Sequence, residues 1–185
     1  MINSLCVYCG SSPGADPRFV EEAEKLGNSI AAHGIRLVYG GGDRGLMGTV
    51  ARATLKGGGA VTGIIPEFLR DMEQANGTLG MDEAEMIVVP DMHTRKQMMF
   101  DKADAFVALP GGIGTLEELV EIQTWAQLGR HTKPIALLNV NNFWSPYVEL
   151  VEHMNSAGFL HNPDRVMPLV FTDASEIIPT LLNPA

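Results

Sequence analysis

The sequence predicts a Rossmann-like α/β fold, in which a parallel sheet of about seven strands carries helices on both faces. Short apolar runs occupy residues 5–8, 35–39, 60–65, 86–89, 105–109, 135–138 and 166–171, and helical patterns fill most of the intervals. Buried strands that alternate with helices are typical of βαβ units in a parallel sheet. A chain of 185 residues is long enough for one continuous core. We therefore expect residues 1–185 to form a single domain.

Two helices are marked at both ends by their sequence. Asp16 suits an N-cap, Pro17 suits the first helical position, and apolar residues recur at helical spacing until Gly34 can end the helix. The Ser-Pro pair at residues 145–146 opens a second pattern of the same kind, which ends near Gly158. Both segments are predicted to be helical.

Two other segments carry weaker signals. A last helix is predicted within residues 172–182, with Pro179 in its first turn, where a proline is tolerated. Residues 71–85 are acidic and are interrupted by Gly77 and Gly80. We expect them to form a loop at the edge of the sheet or over the functional site.

The acidic character of the chain narrows its partners. There are 22 Asp and Glu residues against 13 Lys and Arg, a formal net charge of −9, which disfavours non-specific binding to nucleic acid or anionic lipid. No apolar run reaches the roughly 18 residues that span a bilayer, and the pattern of a secretory signal is missing. We expect a cytoplasmic protein with a small-molecule partner, and neither nucleic acid nor a membrane as partner.

Cys6 and Cys9 have the CxxC spacing of redox and zinc sites. No second cysteine pair or histidine cluster accompanies them to complete a zinc site. A redox pair would lie at a helix N-terminus, whereas residues 5–8 are predicted to be the interior of a strand. The two thiols are therefore expected to be buried and structural.

Glycine-rich turns follow three of the predicted strands, at residues 10–12, 40–45 and 111–114. In an open parallel sheet such turns meet at the carboxyl ends of the strands, where ligands bind. Glycines let backbone N–H groups approach a phosphate, whose charge a helix N-terminus favours. Each turn alone is explained equally well by the need for a tight bend. Together they predict a nucleotide or sugar-phosphate site that includes Ser12 and Gly42.

The same turns exclude two common kinds of nucleotide chemistry. The turn at residues 40–45 lacks the lysine and hydroxyl residue that complete an ATP-hydrolysing P-loop, and no GxGxxG fingerprint follows the first strand. ATP hydrolysis and NAD chemistry are therefore disfavoured.

Glu118 has two interpretations. Thr115 and Glu118 have the spacing of a capping box, in which the glutamate returns to the threonine N–H. Alternatively, a carboxylate beside a bound sugar phosphate can stabilise the oxocarbenium character that develops when a glycosidic bond breaks, and can orient water. Capping and catalysis are compatible, and the sequence leaves both open.

A helical segment that opens at Met92 contains two adjacent cations. Arg95 and Lys96 are candidates for binding phosphate, the arginine by its fork and the lysine as a point charge. Paired cations at a helix start oppose the helix dipole, which disfavours a purely structural role. His93 is expected to be solvated or hydrogen-bonded rather than a base. Met98 and Met99 are expected to belong to a core or an interface rather than to a pocket for the purine base.

Two stretches carry a recognisable pattern, Met92-His93-Thr94-Arg95-Lys96 and Pro110-Gly111-Gly112-Ile113-Gly114-Thr115-Leu116-Glu117-Glu118. They resemble the MHxRK and PGGxGTxxE signature of the Lonely guy family of cytokinin-activating enzymes. The resemblance continues through residues 9–12, 39–42, 45–48 and 124–129 and so covers nearly the whole chain.

That resemblance implies a function and a set of site residues. The family hydrolyses the N-glycosidic bond of N6-modified adenosine 5′-monophosphates, so the expected ligand is AMP or N6-isopentenyl-AMP and the products are free base and ribose 5-phosphate. By resemblance, Arg95 and Glu118 occupy the catalytic positions. The family also implies a homodimer, or a larger homo-oligomer, with active sites near the subunit interface. The substrate-binding positions fall on Lys96, Gly112, Ile113, Gly114, Thr115, Leu116, Glu117 and Thr124.

Two other functions are compatible with parts of this pattern. A nucleotide or cofactor carrier on the same fold would use the glycines, would turn nothing over and would not need Glu118. A lysine decarboxylase would need pyridoxal phosphate on a lysine, and Lys96, directly beside Arg95, would have to serve. We expect an enzyme without a cofactor or a metal.

Overall fold

Seven parallel strands form one sheet in the computed structural model, which describes residues 2–75 and 83–183. The strands are β1 Ser4–Tyr8, β2 Arg36–Tyr39, β3 Val61–Pro66, β4 Glu85–Val89, β5 Ala105–Ala108, β6 Ile135–Leu138 and β7 Leu169–Phe171. The helices are α1 Pro17–Ala32, α2 Gly45–Lys56, α3 Glu67–Ala75, α4 Met92–Asp101, α5 Ile113–Gln127, α6 Ser145–Ser156, α7 Pro163–Val166 and α8 Ile177–Leu182. Short 3₁₀ turns at Val140–Asn142 and Ala174–Glu176 precede α6 and α8.

The strand order places β1 at the switch point of the sheet. The order is β4-β3-β2-β1-β5-β6-β7, so Cys6 of β1 pairs with Val38 on one side and with Phe106 on the other. The chain builds the sheet outward from β1 in one direction and then returns to build it in the other. Such a reversal opens a crevice at the carboxyl ends of the two central strands. The predicted Rossmann-like α/β fold is confirmed.

Alternate residues of β1 enter two separate cores. Leu5 and Val7 pack against α1, α2 and α8, whereas Cys6 and Tyr8 pack against α4, α5 and α6. Each fully buried Leu, Val or Phe contributes about 1.5–3 kcal/mol to folding, so both layers hold the central strands firmly in place. Helices cover both faces, as the run of apolar strands predicted.

The predicted thiols are buried. Cys6 and Cys9 are free, and burial raises the pKa of each thiol well above its ordinary value. Because the reactive form of cysteine is the thiolate, both side chains are chemically quiet. The prediction of structural cysteines is confirmed.

The helix signals are also confirmed. Asp16 caps α1 by accepting a hydrogen bond from the Arg18 N–H at 3.0 Å, and Gly34 follows that helix with a φ of 66°. Gly158 follows α6 with a φ of 81°, and Pro179 lies in the first turn of α8. None of the helices within residues 2–75 and 83–183 combines the length and apolar character needed to cross a membrane.

Two predicted segments differ from the structure. Residues 71–75, predicted as part of a loop, continue α3, where Phe68 and Met72 are one helical turn apart. The prediction for residues 76–82 lies outside the described residues. The strand predicted at 166–171 is shorter, because Pro168 has no N–H to donate to a ladder; β7 starts at Leu169 and Val166 ends α7.

Candidate active site

The three glycine-rich turns meet at the switch point. The Gly10 N–H donates to the Pro110 carbonyl at 3.1 Å, and the Leu46 N–H donates to the Gly10 carbonyl at 3.1 Å. Gly45 has a φ of 57°, and a Cβ there would collide with the backbone of residues 11–12. The convergence predicted from the sequence is therefore confirmed, and it is held by backbone contacts that depend on glycine.

The N-terminus of α5 is an open cradle of backbone N–H groups. Gly112 is its N-cap and supplies no side-chain hydrogen bond. A Cβ at Gly112 or Gly114 would meet no atom within 4 Å, whereas a Cβ at Gly111 would approach the Thr115 Cβ to 2.7 Å. Packing thus explains the glycine at 111 but not those at 112 and 114. Their absent side chains leave space where a phosphate can reach the unpaired N–H groups of the first helical turn.

Glu118 does not cap α5. The helix begins at Ile113, so Thr115 already lies inside its first turn and Glu118 lies beyond that turn. A capping box needs the threonine at the N-cap, a position that Gly112 holds. The capping interpretation is wrong because the backbone turns helical two residues before Thr115.

The Glu118 carboxylate instead faces Arg95. Its Oε1 lies 3.8 Å from Arg95 Nη1, and the two side chains are only 12% and 9% exposed. Glu118 lies one helical turn beyond Gly114 on the same side of α5, about 6 Å along the axis. The structure therefore brings the two predicted catalytic residues together, next to the cradle.

Arg95 is fixed by two carbonyl groups, one within β3 and one directly after β2. Its Nε donates to the Ile64 carbonyl at 3.1 Å, and its Nη2 donates to the Gly40 carbonyl at 2.9 Å. The third nitrogen, Nη1, lies 3.8 Å from both the Met92 sulfur and the Glu118 carboxylate. The Arg95 side chain is thus held against the sheet. Its guanidinium could bind a phosphate through two nitrogens only if these hydrogen bonds were broken.

Burial changes the proton affinity of Glu118. Burial raises the pKa of this carboxyl from the ordinary glutamate range to about 7, although the positive charge of Arg95 acts in the opposite direction. A group with a pKa near neutrality is suited to accept and return a proton during a reaction. Such shifts are typical of catalytic groups in clefts.

Lys96 bridges the start of α4 to α5. Its Nζ lies 2.6 Å from a Glu117 carboxylate oxygen and 3.1 Å from one of Glu121. Burial lowers the pKa of Lys96, but the hydrogen bonds to the two carboxylates together raise it by more than burial lowers it. The pKa of Lys96 is therefore above its ordinary value. A Schiff base needs an unprotonated amine, so Lys96 does not fit the pyridoxal phosphate of a decarboxylase.

The remaining predicted residues lie at different distances from the cradle. Gly42 is buried within its turn, Ser12 is exposed and its hydroxyl accepts from the Gly14 N–H at 3.3 Å, and Ile113 is exposed. Leu116 is half-buried on α5. Thr124 is exposed, donates to the Val120 carbonyl at 2.8 Å and lies about 18 Å along α5 from Gly112. Within one protomer, Thr124 is therefore far from the cradle.

A cavity at the switch point includes residues that the sequence analysis missed. Its volume is about 250 Å³, and its lining joins the turns at 10–14 and 110–112 to Leu46, Phe19 and Phe143. The two phenylalanines come from the start of α1 and from the segment after β6, and no local pattern links them. The only local signal was the asparagine-rich stretch that precedes Phe143, since asparagine tolerates left-handed backbone.

The described residues contain no cluster of three or more His, Cys, Asp or Glu side chains able to hold a metal ion. His93 is exposed and Met99 is buried in the core, as predicted.

A parallel sheet with a glycine-lined anion cradle at its switch point, beside a buried Arg–Glu pair, defines a Rossmann-like α/β protein of the kind that binds phosphorylated ligands. Residues 47–181 match the model of a family described as possible lysine decarboxylase. The chain is 45% identical over 174 residues to a cytokinin riboside 5′-monophosphate phosphoribohydrolase of Arabidopsis thaliana, covering 94% of this chain and 78% of the relative. It is 43% identical over 182 residues to an enzyme of the same name from Rhodococcoides fascians, covering 98% and 90%. The chain belongs to this family, the Lonely guy phosphoribohydrolases.

Solved structures share the fold at lower sequence identity. The molybdenum cofactor binding protein of Rippkaea orientalis is 21% identical with a TM-score of 0.69, and 99% of each chain is covered. The Moco carrier protein of Chlamydomonas reinhardtii is 20% identical with a TM-score of 0.70, and all of both chains is covered. At these identities the likeness supports the fold alone.

Proposed function

We propose that this protein hydrolyses the N-glycosidic bond of adenosine 5′-monophosphates, including N6-modified ones such as N6-isopentenyl-AMP, to a free base and ribose 5-phosphate. The observation that carries the proposal is the placement of the open glycines 112 and 114 within two helical turns of the buried Arg95–Glu118 pair. The names of the relatives in Arabidopsis and Rhodococcoides support the same reaction.

The cradle would hold the 5′-phosphate. The N–H groups of the first turn of α5 point toward that space, and the helix dipole favours the negative charge. Ser12 and Gly42 lie in the neighbouring turns, which contact each other through the backbone of Gly10 and Leu46. A phosphate held at Gly112–Gly114 places the attached ribose toward the next turn of the helix, where Glu118 lies.

The chemistry then follows from the carboxylate and its partner. As the bond between C1′ and the purine nitrogen breaks, its electron pair goes to the base and positive charge develops on the ribose. The Glu118 carboxylate stabilises that charge and accepts a proton from the attacking water, whose oxygen bonds to C1′. A pKa of about 7 allows the same carboxyl to pass the proton on, so that the base leaves neutral. Arg95 holds Glu118 in place and keeps part of it ionised at neutral pH.

Lys96 would act from the edge of the site. Its ammonium group lies between α4 and α5, paired with Glu117 and Glu121. The site therefore has a cation beside the cradle that the phosphate can share with these carboxylates. The reaction as written uses only side chains of this protein, and no cofactor takes part in it.

We also propose that a second copy of the chain covers the outer face of α5 and α6. Val120, Leu150 and Met154 are 43%, 48% and 39% exposed there. They line grooves of about 240 and 460 Å³ that share Leu116, Tyr147 and Leu150 and extend from Gly111 toward Thr124. Continuous apolar surface of this kind marks an association site. A homodimer would also give Thr124 a role, because it lies too far from its own cradle and would complete the site of the partner.

The cytoplasmic location, the lack of nucleic-acid partners and the single catalytic domain remain predictions from the sequence. Direct assay of the purified protein with AMP and with N6-isopentenyl-AMP tests the main proposal. Appearance of free base and ribose 5-phosphate supports it. Binding of both nucleotides without turnover would instead establish the carrier function.

The catalytic assignment has a matched control in the same helix. Glu118→Gln should bind nucleotide and lose turnover, while Glu117→Gln, a neighbour whose side chain is 51% exposed, should keep most of it. Equal turnover of the Glu118→Gln variant and the wild type would remove Glu118 from the mechanism.

A further inference from the structure

The segment between β6 and α6 is an unusually constrained turn. Asn141 and Asn142 both adopt left-handed backbone, with φ of 56° and 58°. Asparagine is one of the few residue types other than glycine that readily adopt this conformation, so the sequence permits two consecutive left-handed residues here. The backbone therefore reverses direction within a few residues after β6.

Hydrogen bonds fasten this turn at both ends. The buried side chain of Asn139 accepts from the Trp144 N–H at 2.7 Å and donates to the Ser145 hydroxyl at 3.1 Å. The Asn141 side chain donates to the carboxylate of Asp16, the N-cap residue of α1. The turn is thus tied to α6 on one side and to α1 on the other.

The result of this fastening is the position of Phe143. Its ring meets that of Phe19 edge to face at 5.9 Å and that of the buried Trp144 at 5.1 Å. Phe143 lines the cavity at the switch point together with Ser12, Gly111 and Gly112. One hydrogen-bonded turn therefore presents an aromatic wall directly beside the proposed phosphate cradle.

The wall has a chemical consequence for the ligand. Apart from backbone and two serines, the cavity is lined by prolines and by Leu46, Phe19 and Phe143, and none of its described lining residues is Lys or Arg. One phosphoryl group can be neutralised by the N–H groups of α5. Lys96, the cation at the edge of the site, is not among the residues that line the cavity. A second phosphoryl group there would lie against apolar side chains with its charge poorly compensated, which is costly.

We propose that Phe143, packed on Phe19, is a specificity-determining residue that restricts the site to nucleoside monophosphates. This inference rests on the proposed function, because it takes the phosphate to lie at Gly112–Gly114. It assigns the Asn139–Ser145 turn the task of holding that wall in place.

The test compares AMP with ADP in binding and in turnover. The wild-type protein should prefer AMP by on the order of 100-fold, and Phe143→Ala should narrow that ratio about tenfold. Phe143→Lys keeps a long side chain and adds the missing cation, so it should narrow the ratio at least as much. Phe159→Ala, the same change at a residue that is 76% exposed and outside the cavity, should leave the ratio unchanged.

The outcomes separate this inference from the proposed function. Failure of the wild type to release base from AMP overturns the proposed hydrolase, while the ratio of AMP to ADP dissociation constants still tests the wall. Equal affinity of the wild type for AMP and ADP, or an unchanged ratio in both Phe143 variants, overturns the role of Phe143. Thermal unfolding of each variant shows that the ratio is measured on folded protein.

Discussion

Arg95 Nη1 lies 3.8 Å from Glu118 Oε1, and the two side chains are only 9% and 12% exposed to solvent. The arginine is anchored to the sheet by the Ile64 carbonyl of β3 and by the carbonyl of Gly40, which follows β2. The glutamate is carried by the helix whose N-terminus forms the cradle. The pair thus links the rigid sheet to the binding end of α5. Its electrostatics decide how Glu118 behaves near neutral pH.

The first prediction concerns the pH dependence of turnover. Because the reaction uses the ionised carboxylate, kcat/KM of the wild type should rise with pH and level off above the Glu118 pKa of about 7. Arg95→Met removes the charge that lowers this pKa, so the rising limb should move up by about one pH unit or more. Turnover at pH 7 should fall by on the order of 100-fold.

Arg95→Lys is the control for that experiment. It keeps a positive charge but loses the bonds to the Gly40 and Ile64 carbonyls. The rising limb of its pH profile should therefore return close to the wild-type pH, while its turnover rate should recover less. An Arg95→Met profile that rises at the same pH as the wild type would show that the two side chains do not interact.

Glu118→Gln should change how stability depends on pH. Between the ordinary glutamate pKa and about 7, the native state holds a proton on Glu118 that the unfolded state has released. The free energy of unfolding of the wild type therefore falls as pH rises through this window, by about 3 kcal/mol. The glutamine variant lacks this loss.

Urea unfolding at pH 5 and pH 8 measures the effect. The free energy of unfolding of Glu118→Gln, relative to that of the wild type, should be higher at pH 8 than at pH 5. Glu117→Gln, at a more exposed side chain, should show no such change. A constant difference between wild type and Glu118→Gln at both pH values would contradict the raised pKa.

Two glycine-to-alanine changes within helices should act in opposite directions. At Gly114 a Cβ meets nothing, so Gly114→Ala should stabilise α5 by roughly 0.5–1 kcal/mol and yet weaken AMP binding about tenfold or more by filling the cradle. At Gly27 a Cβ would lie 2.6 Å from the Ala53 Cβ and from the Val50 carbonyl oxygen. Gly27→Ala should therefore destabilise the α1–α2 contact by about 1–3 kcal/mol and leave AMP affinity unchanged.

Thermal unfolding together with AMP titration separates the two glycine variants. Retained AMP affinity in a stable Gly114→Ala protein would mean that the glycine has no part in binding.

Local sequence patterns predicted the cradle but not its full surroundings. The turn at residues 111–114 follows a buried strand and precedes a helix, which is information contained in about fifteen consecutive residues. The sequence is compatible with two starts for α5, because Thr115 is as good an N-cap as Gly112 by residue type. Only the backbone conformation showed that Glu118 is free to face Arg95.

Features that depend on distant contacts could not be predicted in the same way. The carbonyls that fix Arg95 come from residues 31 and 55 positions away, and Phe19 meets Phe143 across most of the chain. Residues 71–75 are helical, although they belong to an acidic, glycine-containing stretch whose composition is typical of a loop. These elements are determined by tertiary packing, which a pattern within one segment does not encode.

The proposed dimer makes a prediction that depends on which subunit supplies Thr124. Leu150→Glu, which places a charge on the apolar face of α5 and α6, should convert a dimer to a monomer in sedimentation and lower turnover, while Leu182→Glu on α8 should do neither.

If Thr124 completes the site of the partner, mixing inactive Glu118→Gln and Thr124→Val subunits lets half of the dimers form with one intact site each. Exchange should then recover about a quarter of the wild-type rate. Recovery requires that the two residues come from different chains, so a mixture that stays inactive after subunit exchange would place Thr124 outside the partner's site.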